Sequence, residues 1–267
     1  MSTNLRENIE IETHDGFTLR ERFQAAGFAA IVFDHRNWGE SDGLPRHHTD
    51  HYQQTQDLHD VVYYASIRPG VDQNRIALWG SSFSGGIVMA VGAVDPRVQV
   101  VITQVPFVSG HATRRRMAPD VLTKIFSDRG QTSFHKPSYV PTFPESLDQA
   151  QKDPDAAVLG TEESWYYSQT VKAFGQKKEN KITLQSLFHA IRAEPSVYAT
   201  QLSPKPFFMA VGLADSLIDP KVQLDVFEMA KEPKELLKMD CGHFDVYQGG
   251  HFEENISHQI EFLRKNL

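Results

Sequence analysis

The segment from Arg75 to Gly86 constrains the fold more than any other part of the chain, because it joins an apolar run to a turn of small residues and an apolar helix. Arg75–Trp79 predicts a buried strand, and Ile87–Val94 predicts a helix. Ser82 lies in the turn between them. This order predicts a nucleophile elbow, in which a sharp turn exposes the hydroxyl of a serine.

Small residues surround Ser82 on both sides. Gly80 and Ser84 stand where the tight turn brings strand and helix together, and bulky side chains would clash there. Ser84 replaces the second glycine of the usual G-x-S-x-G pattern, although the following Gly85 and Gly86 can provide the same room. Because serine and glycine are also common in ordinary loops, the alternative at this point is a βα loop without a catalytic role.

Charge and cysteine content exclude several classes of protein. The formal net charge of −7 argues against a nucleic-acid partner, since phosphate binding needs a basic face. The basic run Arg114–Arg116 predicts a solvent-exposed helix face. Cys241 is the single cysteine, which excludes an intramolecular disulfide and a cysteine-based zinc site.

The chain carries no recognisable signal for export or membrane insertion. Met1–Glu12 is polar and lacks the apolar core of a signal peptide, and no stretch approaches the ~20 apolar residues of a membrane span. We therefore expect a cytoplasmic protein without a membrane span. The ending Lys265–Leu267 is only distantly similar to the S-K-L peroxisomal signal, so a peroxisomal location is the weaker expectation.

Predicted strands and helices alternate along the chain, which is typical of a mostly parallel sheet covered by helices. Between residues 109 and 200, prolines, charges and helical stretches such as Ser146–Lys152 and Leu184–Arg192 replace the strand signals. We therefore expect a core of residues 1–108 and 201–267 and an inserted helical cap of residues 109–200. The other expected core elements are strands at Ala29–Phe33, Val98–Thr103, Pro206–Val211 and Glu235–Met239, and helices at Tyr52–Ser66, Val222–Lys231 and Glu254–Leu267.

Two later loops supply the partners that a nucleophilic serine needs. A free serine hydroxyl is a weak nucleophile at neutral pH and requires a base with an orienting acid. Asp215 follows the predicted strand that ends at Val211, and His243 follows the last predicted strand, directly after Gly242. In proteins whose serine lies on such an elbow, the three residues follow one another along the chain in the order serine, acid, histidine. We predict that His243 takes the proton of Ser82 while Asp215 fixes the imidazole tautomer.

Other side chains compete for these roles. Asp219 is a second candidate acid and His251 a second candidate base, but a helix cap or a solvent-exposed position is the expectation for both. Cys241 stands beside the predicted base rather than on the elbow, so we expect it to act as a buried small hydrophobe. The histidine-rich segment His47–His59 lacks the H-E-x-x-H spacing, and no glycine pattern for a nucleotide is present, so we expect no metal and no cofactor.

Further motifs give the chain a resemblance to the α/β-hydrolase superfamily. Asp34–Gly43 is similar to the D-x-R-G-x-G-x-S signature that follows a central strand in many of these enzymes. Together with His14–Gly16, Ser82–Gly86 and Gly242–Phe244, it resembles the fungal polyketide transferase family over nearly the whole chain. The resemblance implies a serine hydrolase or acyltransferase that acts on a small-molecule ester or thioester, often a polyketide acyl chain, in secondary metabolite or toxin biosynthesis. A polyketide synthase is the partner that it suggests.

The chain departs from this family near its beginning. The family has a further strand, a His-Gly loop and a helix before the strand at Ala29, whereas only Arg20–Phe28 separates the two strand-like runs here. A parallel crossover needs about a dozen residues or more. We therefore expect that an amino-terminal strand and the oxyanion loop are missing, with Arg20–Ala26 the tail of a helix. The resemblance then leaves the backbone N–H of Phe83 as the remaining oxyanion donor.

Aromatic residues after a strand and in the expected cap are candidates for an apolar acyl pocket. Phe107 and Trp165, with Tyr166 and Tyr167 beside it, fit this position, although core packing explains them equally well. We expect acyl transfer through an acyl-Ser82 intermediate, with water as the acceptor in a hydrolase and an alcohol in a transferase. The alternative is a catalytically impaired protein of the same fold with a binding role, from a truncated gene model or a degenerate paralogue.

Overall fold

The main sheet of the computed structural model contains four parallel strands, paired in the order β1 (Ile76–Ser81), β2 (Val98–Gln104), β5 (Phe207–Gly212) and β6 (Lys234–Met239). A separate antiparallel pair consists of β3 (Tyr139–Val140) and β4 (Ile182–Thr183). The structure describes residues 18–131, 136–173 and 179–267. The register sets Val101 opposite Phe207 and Ala210 opposite Leu237, so the carboxyl ends of the main strands lie along one edge.

Helices connect and cover the strands of the main sheet. Those nearest the sheet are α2, α3 and α9 on one face and α1 and α10 on the other, as their buried apolar residues show. The bounds of the described helices are α1 Thr18–Ala25, α2 His51–Ser66, α3 Phe83–Val94, α4 Gly110–Arg116, α5 Pro119–Gln131, α6 Leu147–Lys152, α7 Glu162–Ala173, α8 Leu184–Arg192, α9 Pro220–Met229 and α10 Gly249–Asn266.

The two faces of the sheet bury two apolar cores. One core contains Leu58 from α2 and Ile87 from α3, and the other contains Phe252 and Ile256 from α10. Residues of β5 alternate between these cores, and every position of this strand is buried. Burial on both faces is expected for a central parallel strand. The strand ends that carry the predicted site are therefore held between two packed layers.

The sequence predicted the main strands and their helices well, with differences at the ends. Strand β1 continues to Ser81 and helix α3 begins at Phe83, so the turn between them is a single residue. Helix α10 begins at Gly249 rather than near Glu254. Apolar periodicity locates the buried middle of an element, whereas its first turn is set by backbone geometry that the pattern does not encode.

The segment between β2 and β5 contains the helices α4 to α8, which we call the inserted helices. Its strands β3 and β4 contradict the expectation that strand signals vanish there. Each is two residues long, too short for a period-two pattern to be visible in the sequence. Ile125, Leu184 and Phe188 form a small apolar core within this segment. The division into a core of residues 1–108 and 201–267 and a cap of residues 109–200 stays a prediction.

The predicted strand at Ala29–Phe33 was wrong, since residues 28–35 have no regular secondary structure. Within the described residues no strand precedes β1, and an extended segment without a neighbouring strand leaves its backbone groups unpaired. The helix tail expected at Arg20–Ala26 lies in α1, which spans Thr18–Ala25. His14–Gly16 lies outside the described residues. The loss of an amino-terminal strand and its oxyanion loop therefore stays a prediction.

The loop Asp34–Gly43 closes on itself through its own motif residues. The Ser41 hydroxyl donates to the Asp34 carbonyl at 2.6 Å, and the Glu40 N–H donates to the Asp34 carboxylate at 2.8 Å. The Asn37 N–H donates to the Asp42 carbonyl at 2.9 Å. The aspartate and serine of this motif therefore shape a loop.

In the described part of the chain, no helix is both long and apolar enough to cross a membrane.

Candidate active site

The turn between β1 and α3 has the geometry predicted for a nucleophile elbow. Ser82 has φ 51° and ψ −122°, a conformation that is costly for a residue with a side chain. A Cβ atom on Gly80 would lie 2.4 Å from the Ser84 carbonyl oxygen, which explains why small residues flank the serine. The surrounding structure therefore holds Ser82 in a strained position that exposes its side chain at the end of the strand.

Backbone hydrogen bonds fix this turn to the neighbouring strand. The Ser82 N–H donates to the Gln104 carbonyl at 3.0 Å. The Ser82 carbonyl accepts from the N–H groups of Gly85 at 2.9 Å and Phe107 at 2.8 Å. These hydrogen bonds offset part of the energetic cost of the strained Ser82 backbone.

The structure brings together the three side chains of the predicted triad. His243 Nε2 lies 3.0 Å from Ser82 Oγ, and His243 Nδ1 lies 2.7 Å from Asp215 Oδ2. The side chains of His243 and Asp215 are almost fully buried. Because an ionised carboxylate only accepts, the Nδ1 atom carries the proton in this contact and Nε2 is left to accept from the serine. This is the arrangement that a general base needs.

The Asp215 carboxylate is itself held from three directions. Its Oδ1 atom accepts from the N–H groups of Leu217 at 2.9 Å and Ile218 at 2.8 Å. Its Oδ2 atom accepts from Gln223 Nε2 at 3.3 Å in addition to His243. Gln223 is fully buried and also donates to the Ile218 carbonyl at 2.9 Å. The carboxylate therefore has one orientation, with Oδ2 facing the histidine.

The competing candidates lie in other environments. Asp219 is the N-cap of α9 and accepts from the Lys221 N–H at 2.9 Å, while His251 lies within the first turn of α10. Cys241 is buried, and this burial raises the pKa of its thiol to about 11. A thiol with such a pKa stays protonated near neutral pH and is a poor nucleophile.

The remaining predicted site residues occupy distinct positions. Phe83 is the first residue of α3, where backbone N–H groups have no partner within the helix. The Phe107 ring lies 5.1 Å from that of Phe83, close to the elbow. Trp165 lies on α7, where its ring contacts that of Tyr166 at 5.0 Å. Tyr167 stacks instead on Phe244, at 4.2 Å and 12°. The oxyanion role of Phe83 and the substrate contacts of Phe107 and Trp165 stay predictions.

A buried polar network beneath the elbow was missed by the sequence analysis. Gln104 Oε1 accepts from Asn255 Nδ2 at 2.7 Å and from Gln259 Nε2 at 3.1 Å. Gln259 Oε1 accepts from Trp79 Nε1 at 2.8 Å, and the hydroxyls of Ser81 and Tyr247 are 2.5 Å apart. The sequence pattern does not show which distant amides pair with one another. Polar residues on the apolar face of the helix α10 are the one signal that could have indicated a buried network, because buried polar groups need hydrogen-bond partners.

The histidine-rich segment His47–His59 runs into α2, which begins at His51. His48 Nδ1 lies 2.7 Å from Thr183 Oγ1, and His59 Nδ1 lies 2.9 Å from Asp95 Oδ2. Burial lowers the pKa of the His51 imidazole to about 4. Among the described residues, no group of three or more histidine, cysteine, aspartate or glutamate side chains is placed to hold a metal ion.

An open cavity of about 430 Å³ lies away from the three site residues. Its walls combine apolar and charged side chains from the Asp34–Gly43 loop and from α2, and none of the triad residues contributes to them. The lining residues are Phe33, Asp34, Arg36, Ser41, Asp42, Gly43, Asp57 and Val61.

A parallel sheet flanked by helices, with a serine on an elbow and an acid and a histidine on later strand loops, defines the α/β-hydrolase class. Solved structures of this class match the chain. The α/β-hydrolase GrgF from Penicillium sp. sh18 is 29% identical with a TM-score of 0.71, over 87% of this chain and 78% of that one. DcsB, solved in complex with its substrate analogue, is 27% identical with a TM-score of 0.80, over 93% of this chain and 85% of that one.

The family follows from the sequence comparison. Residues 17–243 match the Hydrolase_4 family, described as serine aminopeptidase, S33. The chain therefore belongs to this family of serine α/β-hydrolases.

Three named relatives align along most of the chain. The polyketide transferase grgF of a Penicillium species is 29% identical over 100% of this chain and 98% of its own length. The thiohydrolase aneE of Aspergillus aculeatus and the quorum-quenching protein AidA of Acinetobacter baumannii are each 30% identical over 92% of this chain and 79% of their own length. The alignment with grgF spans 298 positions, more than the 267 residues of this chain, so grgF contains residues that have no counterpart here.

Proposed function

We propose that this protein cleaves a small-molecule ester or thioester through an acyl-serine intermediate, with Ser82 as nucleophile, His243 as base and Asp215 as the orienting acid. The observation that carries the proposal is the continuous hydrogen-bonded chain from Ser82 Oγ through the imidazole to Asp215 Oδ2. Aligned serine, histidine and carboxylate groups convert a weak hydroxyl nucleophile into a strong one. The names of the relatives, a transferase and a thiohydrolase among them, support acyl chemistry.

In the first half-reaction, Ser82 Oγ attacks the acyl carbonyl while His243 Nε2 accepts the hydroxyl proton. The Phe83 N–H, at the positive end of α3, donates to the oxyanion that forms. The bond to the alcohol or thiol then breaks, and the His243 imidazolium gives its proton to that leaving group. The product is an acyl-Ser82 ester with a neutral histidine.

In the second half-reaction, the acceptor attacks the acyl-Ser82 carbonyl as His243 takes its proton, and the proton returns to Ser82 Oγ on release. Water as acceptor gives an acid, and an alcohol gives a new ester. We infer that the acyl group is a polyketide chain, delivered as a thioester from a polyketide synthase, because relatives are named polyketide transferase and thiohydrolase. Phe107 beside the elbow and Trp165 on α7 would contact that chain.

The proposal is tested with thioesters of N-acetylcysteamine that carry acyl chains of increasing length. Thiol release is followed with a disulfide reagent, and buried Cys241 does not contribute a reactive thiol. Wild type should release thiol in a saturable manner, and Ser82→Ala should not. Adding alcohols should divert the acyl group from acid to ester if the protein is a transferase. Equal release by wild type and Ser82→Ala contradicts the proposal.

A second candidate is a binding protein that keeps the fold and has lost efficient catalysis. The absence of regular structure at residues 28–35, beside a sheet in which no described strand precedes β1, favours it. Loss of one oxyanion donor costs about 10²–10³ in rate in other enzymes. A folded wild type that releases no thiol, yet is thermally stabilised by a non-hydrolysable thioether analogue, identifies this second function.

A further inference from the structure

One carboxylate of the inserted helices contacts both loops that carry the acid and the base. Glu163 lies in the first turn of α7. Its Oε2 atom accepts from the His243 N–H at 2.8 Å, and its Oε1 atom accepts from the Ser216 N–H at 2.9 Å. The Ser216 hydroxyl also donates to Oε1. The side chain therefore bridges the predicted base itself and the residue that follows Asp215.

The chemistry of this bridge suits a carboxylate and no other side chain of its length. Three donors converge on it, and an ionised carboxylate has two oxygens that only accept. Hydrogen bonds from N–H groups to a charged acceptor are about twice as strong as neutral ones. A Cβ atom on Gly242 would lie 2.5 Å from Glu163 Oε2. The glycine before His243 is therefore what allows the carboxylate to reach the histidine N–H.

Other contacts hold the inserted helices on the same two loops. Arg116 at the end of α4 donates to the carbonyls of Ser216 and Leu217, each at 3.0 Å, although its side chain is otherwise solvent-exposed as predicted. The Tyr167 ring, one turn after Glu163 on α7, stacks on Phe244 beside the histidine. Three side chains of the inserted helices, Arg116, Glu163 and Tyr167, thus contact the loops that carry Asp215 and His243.

We propose that Glu163 is a positioning residue that couples the inserted helices to the triad by fixing the loops of Asp215 and His243 relative to each other. This rests on the proposed function of the triad. Backbone hydrogen bonds join the two loops as far as Ala214, whose N–H donates to the Cys241 carbonyl at 3.0 Å. Glu163 joins the residues that follow, Ser216 and His243. A misplacement of about 1 Å can cost a factor of about 10² in rate. The inserted helices then act on the chemical step as well as on substrate enclosure.

The variant Glu163→Gln keeps the shape of the side chain and leaves one accepting oxygen, so its NH₂ group faces either the Ser216 or the His243 N–H. We expect kcat for a thioester to fall by a factor of about 10–100 while KM changes less than about threefold. Glu162→Gln is the matched control, since Glu162 is the exposed neighbour on the same helix and accepts a hydrogen bond from Gln151 at 3.2 Å. This control should match wild type.

Amide hydrogen exchange reports on the bridge without any activity. Glu163→Gln should accelerate exchange in residues 213–219 and 241–247 together and leave the β2 amides unchanged, while Glu162→Gln should change neither loop. Ser216→Ala removes one of the three donors and should show a smaller effect in the same direction, which keeps the test usable if Glu163→Gln does not fold. Exchange and kcat equal to wild type in Glu163→Gln overturn the proposal.

The failure of the positioning role is distinguishable from failure of the triad. A wild type that releases no thiol contradicts the proposed function, and exchange then decides on the bridge alone. An active wild type with an equally active Glu163→Gln contradicts only the positioning role. Loss of kcat in Glu163→Gln with no change in either loop also contradicts it, because the effect then does not pass through loop position.

Discussion

Asp215→Asn is the substitution for which the structure predicts the most specific failure. The two N–H groups of Leu217 and Ile218 point at Oδ1, so the amide oxygen of asparagine takes that position and its NH₂ group takes the position of Oδ2. That NH₂ group then faces His243 Nδ1, where it can only donate. The neutral imidazole therefore carries its proton on Nε2, because Nδ1 has to accept from this NH₂ group. It then donates to Ser82 and can no longer accept the serine proton.

The expected loss follows from this reversed tautomer. A correctly placed imidazole in the wrong tautomer reduces kcat by about 10⁴ in a protease triad, which corresponds to about 5 kcal/mol of transition-state stabilisation. The fold should survive, because the substitution preserves shape and both Oδ1 contacts. Two buried donors, the new NH₂ group and that of Gln223, now point at the same place, which costs about 1–3 kcal/mol of stability.

The measurement is kcat for thiol release by Asp215→Asn, with the melting temperature recorded on the same preparation. Asp219→Asn is the control, because Asp219 is the N-cap of α9 and asparagine caps helices as well as aspartate. This control should keep full activity. Activity of Asp215→Asn within about tenfold of wild type, or a large loss in Asp219→Asn, refutes the assignment of Asp215 as the orienting acid.

Three further outcomes follow from the packing and the titration of buried groups. Gly80→Ala should lower the free energy of unfolding in urea by about 1–3 kcal/mol, because its methyl group meets the Ser84 carbonyl, whereas Gly130→Ala in open space on α5 should raise it by about 0.5–1 kcal/mol. Cys241, whose pKa is raised to about 11 by burial, should resist iodoacetamide at pH 8 in the folded protein and react once urea unfolds it. Burial lowers the pKa of His51 from 6.5 to about 4, so only the unfolded chain takes up a proton in this range. The free energy of unfolding should therefore fall between pH 6.5 and about 4, and His51→Phe should flatten that part of the urea-stability profile; an unchanged slope contradicts the burial of a neutral imidazole.

The sequence predicted the elements that depend on local periodicity and the residues that stand directly after strands. Ser82, Asp215 and His243 could be proposed together because each follows a recognisable apolar strand, and parallel strands bring their carboxyl ends to one edge. The prediction of a strand at Ala29–Phe33 was wrong. A strand needs a neighbouring strand to pair with, and apolar content does not reveal whether that neighbour exists.

Contacts between distant segments were not predictable. Glu163 follows the exposed Glu162 on α7, and its role depends on contacts with Ser216 and His243 that only the tertiary fold provides. The amide network has the same character, since Gln104 on β2 lies far along the chain from Asn255 and Gln259 on α10. The sequence pattern of one segment does not reveal which residue of a distant segment will contact it in the folded chain.

The most direct test of the central claim is intact-mass analysis after treatment with a fluorophosphonate. Such a reagent phosphonylates a serine only when a neighbouring base activates it. The folded wild type should gain the mass of one phosphonyl group, located by peptide mapping on Ser82, while Ser82→Ala gains none and His243→Ala reacts far more slowly. A folded wild type without adduct, or an equal adduct on Ser82→Ala, contradicts the claim that Ser82, His243 and Asp215 form a working triad.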